Sequence, residues 1–113
     1  MKLTCHCKNI EIYVALPQQV TRCNCSVCRR YQTLWAYYKP DQVKIDMGAL
    51  GVGRYIWGDK EIEFVHCKNC GCITHYRTIA GKSDVKVAVN FRMAPVELVS
   101  EIPVREFNGR DLL

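Results

Sequence analysis

The chain has 113 residues, 49% of them hydrophobic and 24% charged, which fits a folded domain and excludes an intrinsically disordered chain. No stretch approaches the roughly 18 apolar residues of a membrane span, and the opening Met1-Lys2-Leu3-Thr4-Cys5 lacks the apolar core of a signal peptide. The formal net charge of +5 invites a nucleic-acid partner, but the basic residues are scattered, with Arg29-Arg30 the densest pair, so solvated surface is the expectation.

Most of the chain alternates in polarity as strands do. Residues 10–14 alternate partly and stop before Pro17. Residues 33–38 are rich in aromatic and β-forming types. Residues 43–47 alternate with period two. Residues 54–57 end at the turn signal Gly58-Asp59, and residues 61–65 and 84–89 alternate again. Helical periodicity is confined to a turn or two after Cys25 and a short piece at 96–100. These signals predict one mostly-β domain over residues 1–113, with about seven or eight short strands.

Eight cysteines fall in three clusters: Cys5-His6-Cys7, Cys23-Asn24-Cys25-Ser26-Val27-Cys28, and Cys67-Lys68-Asn69-Cys70-Gly71-Cys72. The missing leader implies a cytosolic, reducing compartment, where such clusters bind metal rather than form disulfides. In an extended segment Cys5 and Cys7 point to the same side and offer two sulfurs to one ion. A Cys-x-x-Cys turn brings Cys67 and Cys70 close enough to share an ion, and Gly71 fits the positive φ that such a knuckle needs. A pair plus a pair makes a closed four-cysteine site, which would close 59 intervening residues into a loop. Cys23, Cys25 and Cys28 remain. Spacing leaves their site either open, with an exchangeable fourth ligand, or closed by Cys72. One four-thiolate and one three-thiolate zinc site would bring the net charge to about +2.

At these residues the sequence resembles the glutathione-dependent formaldehyde-activating enzyme family, which also contains centromere protein V. The resemblance is carried by Cys5-His6-Cys7, by the run from Cys23 to Arg30, and by Phe64-Val65-His66-Cys67-Lys68-Asn69-Cys70-Gly71. Residues 89–92 and 107–111 add to it. Members usually have glycine after the first Cys-x-Cys, where this chain has Lys8. The resemblance implies a β-tent of stacked antiparallel sheets with two zinc ions at strand ends and turns. Cys5, Cys7, Cys67 and Cys70 would be ligands of a structural zinc, and Cys23, Cys25 and Cys28 would hold a catalytic one, with Cys72 left over. The implied activity is that of a carbon–sulfur lyase, which forms S-(hydroxymethyl)glutathione from glutathione and formaldehyde. A cytoplasmic protein with a small thiol and a small aldehyde as partners follows, without membrane or nucleic acid. The alternative is a non-enzymatic zinc module that binds a protein or nucleic acid.

Other residues carry expectations of their own. His6 and His66 are expected beside the ligands rather than among them, and His75 as a strand residue. Arg29 and Arg30 are candidates to meet a substrate carboxylate. Asn24 and Ser26 are expected to hydrogen-bond thiolates or backbone near the metal. Trp35, Tyr37 and Tyr38 are expected in the sheet core, and Asn90 and Arg92 in structural roles.

Overall fold

The computed structural model describes residues 1–58, 60–79 and 85–112. Strands β1 (Lys2–Thr4), β2 (Ile10–Tyr13) and β5 (Lys44–Met47) form a small antiparallel sheet in the order β1-β2-β5. The remaining strands are β3 (Val20–Cys23), β4 (Trp35–Tyr38), β6 (Val52–Ile56), β7 (Ile62–Cys67), β8 (Ile73–Thr78), β9 (Val87–Asn90) and β10 (Val104–Phe107). They build a larger sheet in the order β10-β3-β4-β9-β8-β7-β6. Three single-turn α-helices, α1 (Cys28–Tyr31), α2 (Val96–Val99) and α3 (Gly109–Leu112), and two 3-10 turns, Pro40–Gln42 and Phe91–Met93, complete the described elements.

The protein is mostly β, as its alternation predicts, and its sheets are not purely antiparallel. The terminal β10 runs parallel to β3, with Val104 beside Val20 and Phe107 beside Cys23. Sequence patterning missed β1, β3, β8 and β10. β1 has only three residues, β3 runs into a cysteine cluster, β8 is polar on both faces, and β10 is an exposed edge. Helices α1 and α2 lie where helical spacing was expected, and α3 was not foreseen. The predicted strand at 84–89 starts later, at Val87, with Asp84 outside the described residues; so is Asp59 of the expected turn.

The period of two in the large sheet decides where everything else goes. Leu34 and Ala36 of the β4 segment face one way, as do Val87 and Val89 of β9. They meet Leu3, Ile10 and Ile12 of the small sheet, and this contact is the larger core. Trp35, Phe64, Tyr76 and Ala88 point to the opposite face, where they pack with Cys23, Cys25 and Cys28. The central strands β4 and β9 thus feed alternate residues to two separate cores.

Ile12 is fully buried between the sheets. Ile12→Ala should destabilise the fold by roughly 2–5 kcal/mol, because the surrounding β-sheet residues collapse only partly into the cavity. Urea unfolding of the two proteins reads this difference; a shift within error would show that the small sheet is not packed as described.

Candidate metal centres

The first cluster joins the two sheets. Cys5 and Cys7 lie in the turn between β1 and β2, not in an extended segment as the i, i+2 spacing suggested. The Lys8 amide donates to the Cys5 carbonyl at 3.1 Å, and the Cys5 amide to the Ile10 carbonyl at 3.1 Å. Lys8 takes the left-handed φ of 68° needed to complete this turn, which explains why glycine is the usual residue there. Cys67 ends β7, and the Gly71 amide donates to the Cys67 carbonyl at 2.9 Å, with Gly71 at φ 82°.

These two turns bring the sulfurs of Cys5, Cys7, Cys67 and Cys70 within 4.8 Å of one another. The Cys5–Cys7 and Cys7–Cys67 sulfur separations are 3.8 and 3.6 Å. Four sulfurs around one zinc at Zn–S distances of about 2.3 Å would be about 3.8 Å apart. The sulfurs are also already hydrogen-bonded as thiolates need. Ile10 N–H reaches Cys5 Sγ at 3.3 Å, and Asn69 N–H and Asn9 Nδ2 reach Cys67 Sγ at 3.3 and 3.5 Å. The donor set therefore fits a closed four-coordinate metal.

Burial holds the Cys5 thiol up at about 11. At Cys70 burial also acts upward, but backbone hydrogen bonds from Cys72 and Cys7 outweigh it and draw the thiol down to about 5. Thiols split this way cannot all ionise without a cation; a divalent ion removes that conflict.

Asn9 escaped the sequence reading. Its amide also donates to the Gly51 carbonyl at 3.1 Å, and its Oδ1 accepts from Leu50 N–H at 3.1 Å. The side chain thereby fastens the loop after β5 to the cluster. Its one signal in the sequence is a short polar residue just after a cysteine pair.

The second cluster lies on the aromatic face of the large sheet. Cys23 ends β3, Cys25 follows in the loop, and Cys28 opens α1. Their three sulfurs lie within 4.8 Å of one another, and all three residues are buried. Cys25 N–H and Cys28 N–H point at the sulfurs of Cys23 and Cys25, at 3.5 and 3.4 Å. The Trp35 indole donates to Cys28 Sγ at 3.4 Å. Burial pushes the thiols of Cys28 and Cys23 up; at Cys25 it acts upward too, but hydrogen bonds from Cys28, Cys23 and Val27 prevail and draw that thiol down. Among the described residues, no fourth cysteine, histidine or carboxylate joins these three. Cys72 packs instead on the core beside the first cluster.

The other singled-out residues divide cleanly. His6 is exposed, and the His66 ring covers Gly53, leaving no room for a Cβ there. His75 is buried, with Nδ1 2.8 Å from Thr74 Oγ1, and burial followed by the charges of Arg77 and Arg54 lowers its pKa to about 4. Asn24 does not touch a thiolate. It donates to Asn108 Oδ1 at 3.0 Å and accepts from Arg110 N–H at 2.8 Å, pinning the C-terminal segment to the second cluster. Arg29 and Arg30 are exposed on α1, and Arg30 donates to the Ser26 carbonyl at 2.7 Å. Trp35 is buried, but against sulfur as well as sheet; Tyr37 is exposed at its rim, and Tyr38 packs on the other core. Asn90 accepts from Leu34 N–H and Arg92 N–H and donates to the Ile73 carbonyl, and Arg92 donates to the Gln32 carbonyl.

Fold and clusters define a β-sheet protein organised around two sets of cysteine sulfurs able to hold metal ions. A sequence model of the family described as glutathione-dependent formaldehyde-activating enzyme matches residues 1–99, and the chain belongs to that family. A crystal structure of a Rhodobacter sphaeroides protein is similar across 93% of this chain and 100% of its own, at 28% identity and a TM-score of 0.75. Among the described residues, no helix is long and apolar enough to cross a membrane.

Lys8→Gly should raise stability by about 1 kcal/mol, since it relieves a left-handed side-chain strain in the ligand turn; differential scanning calorimetry of the metal-loaded protein reads the change, and an unchanged midpoint would speak against the strain. His75, depressed below its unfolded value of 6.5, contributes stability above that pH that is lost as the pH falls towards 4. Imidazole NMR resonances should show His75 still neutral at pH 5; a charged ring there would contradict its burial.

Proposed function

We propose that the chain is a zinc-dependent protein of the carbon–sulfur lyase type, joining a small thiol such as glutathione to a small aldehyde such as formaldehyde in the cytoplasm. The observation that carries this is the inequality of the two clusters: four sulfurs in one and three in the other. Cys5, Cys7, Cys67 and Cys70 would hold a structural zinc. Cys23, Cys25 and Cys28 would hold the catalytic one, with its fourth position left to an exchangeable ligand.

Zinc at that position supplies a lowered thiol pKa and a polarised carbonyl. The chain's own residues supply the rest. Three buried cysteines set the geometry, and amide and indole N–H groups steady their charge. Trp35, Phe64 and Tyr76 line the same face and exclude water, which strengthens every electrostatic interaction inside.

One observation favours the non-enzymatic alternative: Tyr55, Ile56 and Trp57 leave 47, 46 and 43% of their surfaces exposed at the edge of the large sheet. A protein partner rather than nucleic acid would suit that edge, because the arginines beside it, Arg54 and Arg77, are both paired with Glu63.

Elemental analysis together with exchange NMR separates the two. Two zincs per chain and an exchange of glutathione and labelled formaldehyde with their adduct at least about tenfold above the spontaneous rate are expected. Cys28→Ser should lose one zinc and the acceleration, whereas Cys72→Ser should keep both. Acceleration by the zinc-free chain would overturn the proposal; two zincs with no acceleration would favour the binding module.

A further inference from the structure

Strand register settles which side chains of β10 share a face with the three sulfurs. Partners in neighbouring strands project to the same side of a sheet. Phe107 stands beside Cys23, and Arg105 beside Thr21, which in turn stands beside Trp35. The Trp35 indole donates to Cys28 Sγ, and Phe107 packs on the cysteine cluster. Arg105 therefore lies on the aromatic face, level with a residue two positions before Cys23. Glu106 takes the other side, where it pairs with Arg22 at 2.8 Å. Arg105 also lies beyond residues 1–99, which the family model matches.

The guanidinium is held from two directions. Its Nε donates to the hydroxyl of Thr21 at 3.2 Å, and Thr21 is only 1% exposed. Its central carbon lies 5.4 Å from the centre of the Phe107 ring. An arginine tethered and stacked in this way has little rotamer freedom left to lose, and its two Nη groups keep their donors in a fixed fork. Among the described residues, no carboxylate pairs with it. Arg22, Arg54, Arg77 and Arg110 each have one, from Glu106, Glu63 or Asp111. Arg30 is committed to the Ser26 carbonyl at 2.7 Å. Arg29 is the rival cation, but it is exposed on α1, and no ring or hydrogen bond among the described residues directs its side chain.

We infer that Arg105 binds a carboxylate of the thiol that enters the Cys23–Cys25–Cys28 centre, so that the chain selects thiols carrying a carboxylate over neutral ones. The assignment rests on the reading of that centre as the thiol's site. Three thiolates around a divalent ion leave a net charge of about −1 there. A carboxylate brought beside it is repelled unless a cation comes with it. A planar fork on the same face, fixed by Thr21 and Phe107, meets that carboxylate with two parallel hydrogen bonds. Lysine in its place would keep the charge and lose the fork.

Exchange NMR on the zinc-loaded protein tests this, with labelled formaldehyde and either glutathione or its diethyl ester. The wild type should favour glutathione about tenfold or more in kcat/KM. Arg105→Gln should raise KM for glutathione about tenfold, the low end for a hydrogen bond to a charged group, with kcat held within about twofold. Arg105→Lys should recover part of the loss. The glutathione-to-ester ratio is taken within one preparation, so a change in stability does not move it. A wild-type ratio in Arg105→Gln, or a larger fall in Arg29→Gln, overturns the assignment. NMR titration with S-methylglutathione reads the same contact without the chemistry, and Arg105→Gln should weaken its Kd about tenfold. Should the wild type bind it with that dependence yet accelerate no exchange, the lyase chemistry falls and the carboxylate site stands. Equal Kd values, or no binding by the wild type, overturn the site.

Discussion

The structure depends on one clasp: the sulfurs of Cys5 and Cys7 meeting those of Cys67 and Cys70. Cys7 and Cys67 stand 60 positions apart in the chain, yet their sulfurs are 3.6 Å apart. A metal ion shared by all four would close that loop and remove about 4 kcal/mol of chain entropy from the unfolded state. The clasp also joins the β1–β2 turn of the small sheet to the β7–β8 turn of the large one. Leu3, Ile10 and Ile12 are held over Val87, Val89 and Ala36 in consequence. Even the strained Lys8 and the loop anchor Asn9 serve this junction.

The second centre is placed by the first only indirectly, through the large sheet. Because side chains alternate, the face that does not meet the small sheet is free to gather Trp35, Phe64 and Tyr76 around Cys23, Cys25 and Cys28. The C-terminal segment closes this region from the edge: β10 runs parallel to β3, and Asn24 holds Asn108 and Arg110. One sheet thereby keeps a four-sulfur cluster on one side and a three-sulfur cluster on the other. That division is what a protein needs if one ion is to hold the fold and the other is to meet a ligand.

Much of this was legible in the residues. Cysteine spacing paired Cys5 and Cys7 with Cys67 and Cys70 as the structure groups these sulfurs, though through a turn rather than an extended segment at Cys5–Cys7. Alternation found the strands with one polar face. It failed at β8, where Thr74, His75 and Tyr76 are all buried because both faces of the strand are covered. It failed again at β10, whose parallel pairing is a long-range event with no local pattern. The role of Cys72 could not be read from spacing, since it depends on which core the 70–72 turn leans against. Asn24 was expected on a thiolate or on backbone beside the cluster; it takes the backbone N–H of Arg110, and only the fold reveals that this partner and Asn108 come from the C-terminal segment.

The central claim is that the two centres differ in kind. Zinc K-edge X-ray absorption on the fully loaded protein tests it most directly, because it counts sulfur neighbours without reference to any substrate. A closed four-sulfur site beside a three-sulfur site with one lighter ligand predicts an average of about 3.5 sulfurs per zinc, with an oxygen or nitrogen contribution making up the shell. An average of four sulfurs and no lighter neighbour would contradict it, and would mean that Cys72 or another sulfur closes the second centre.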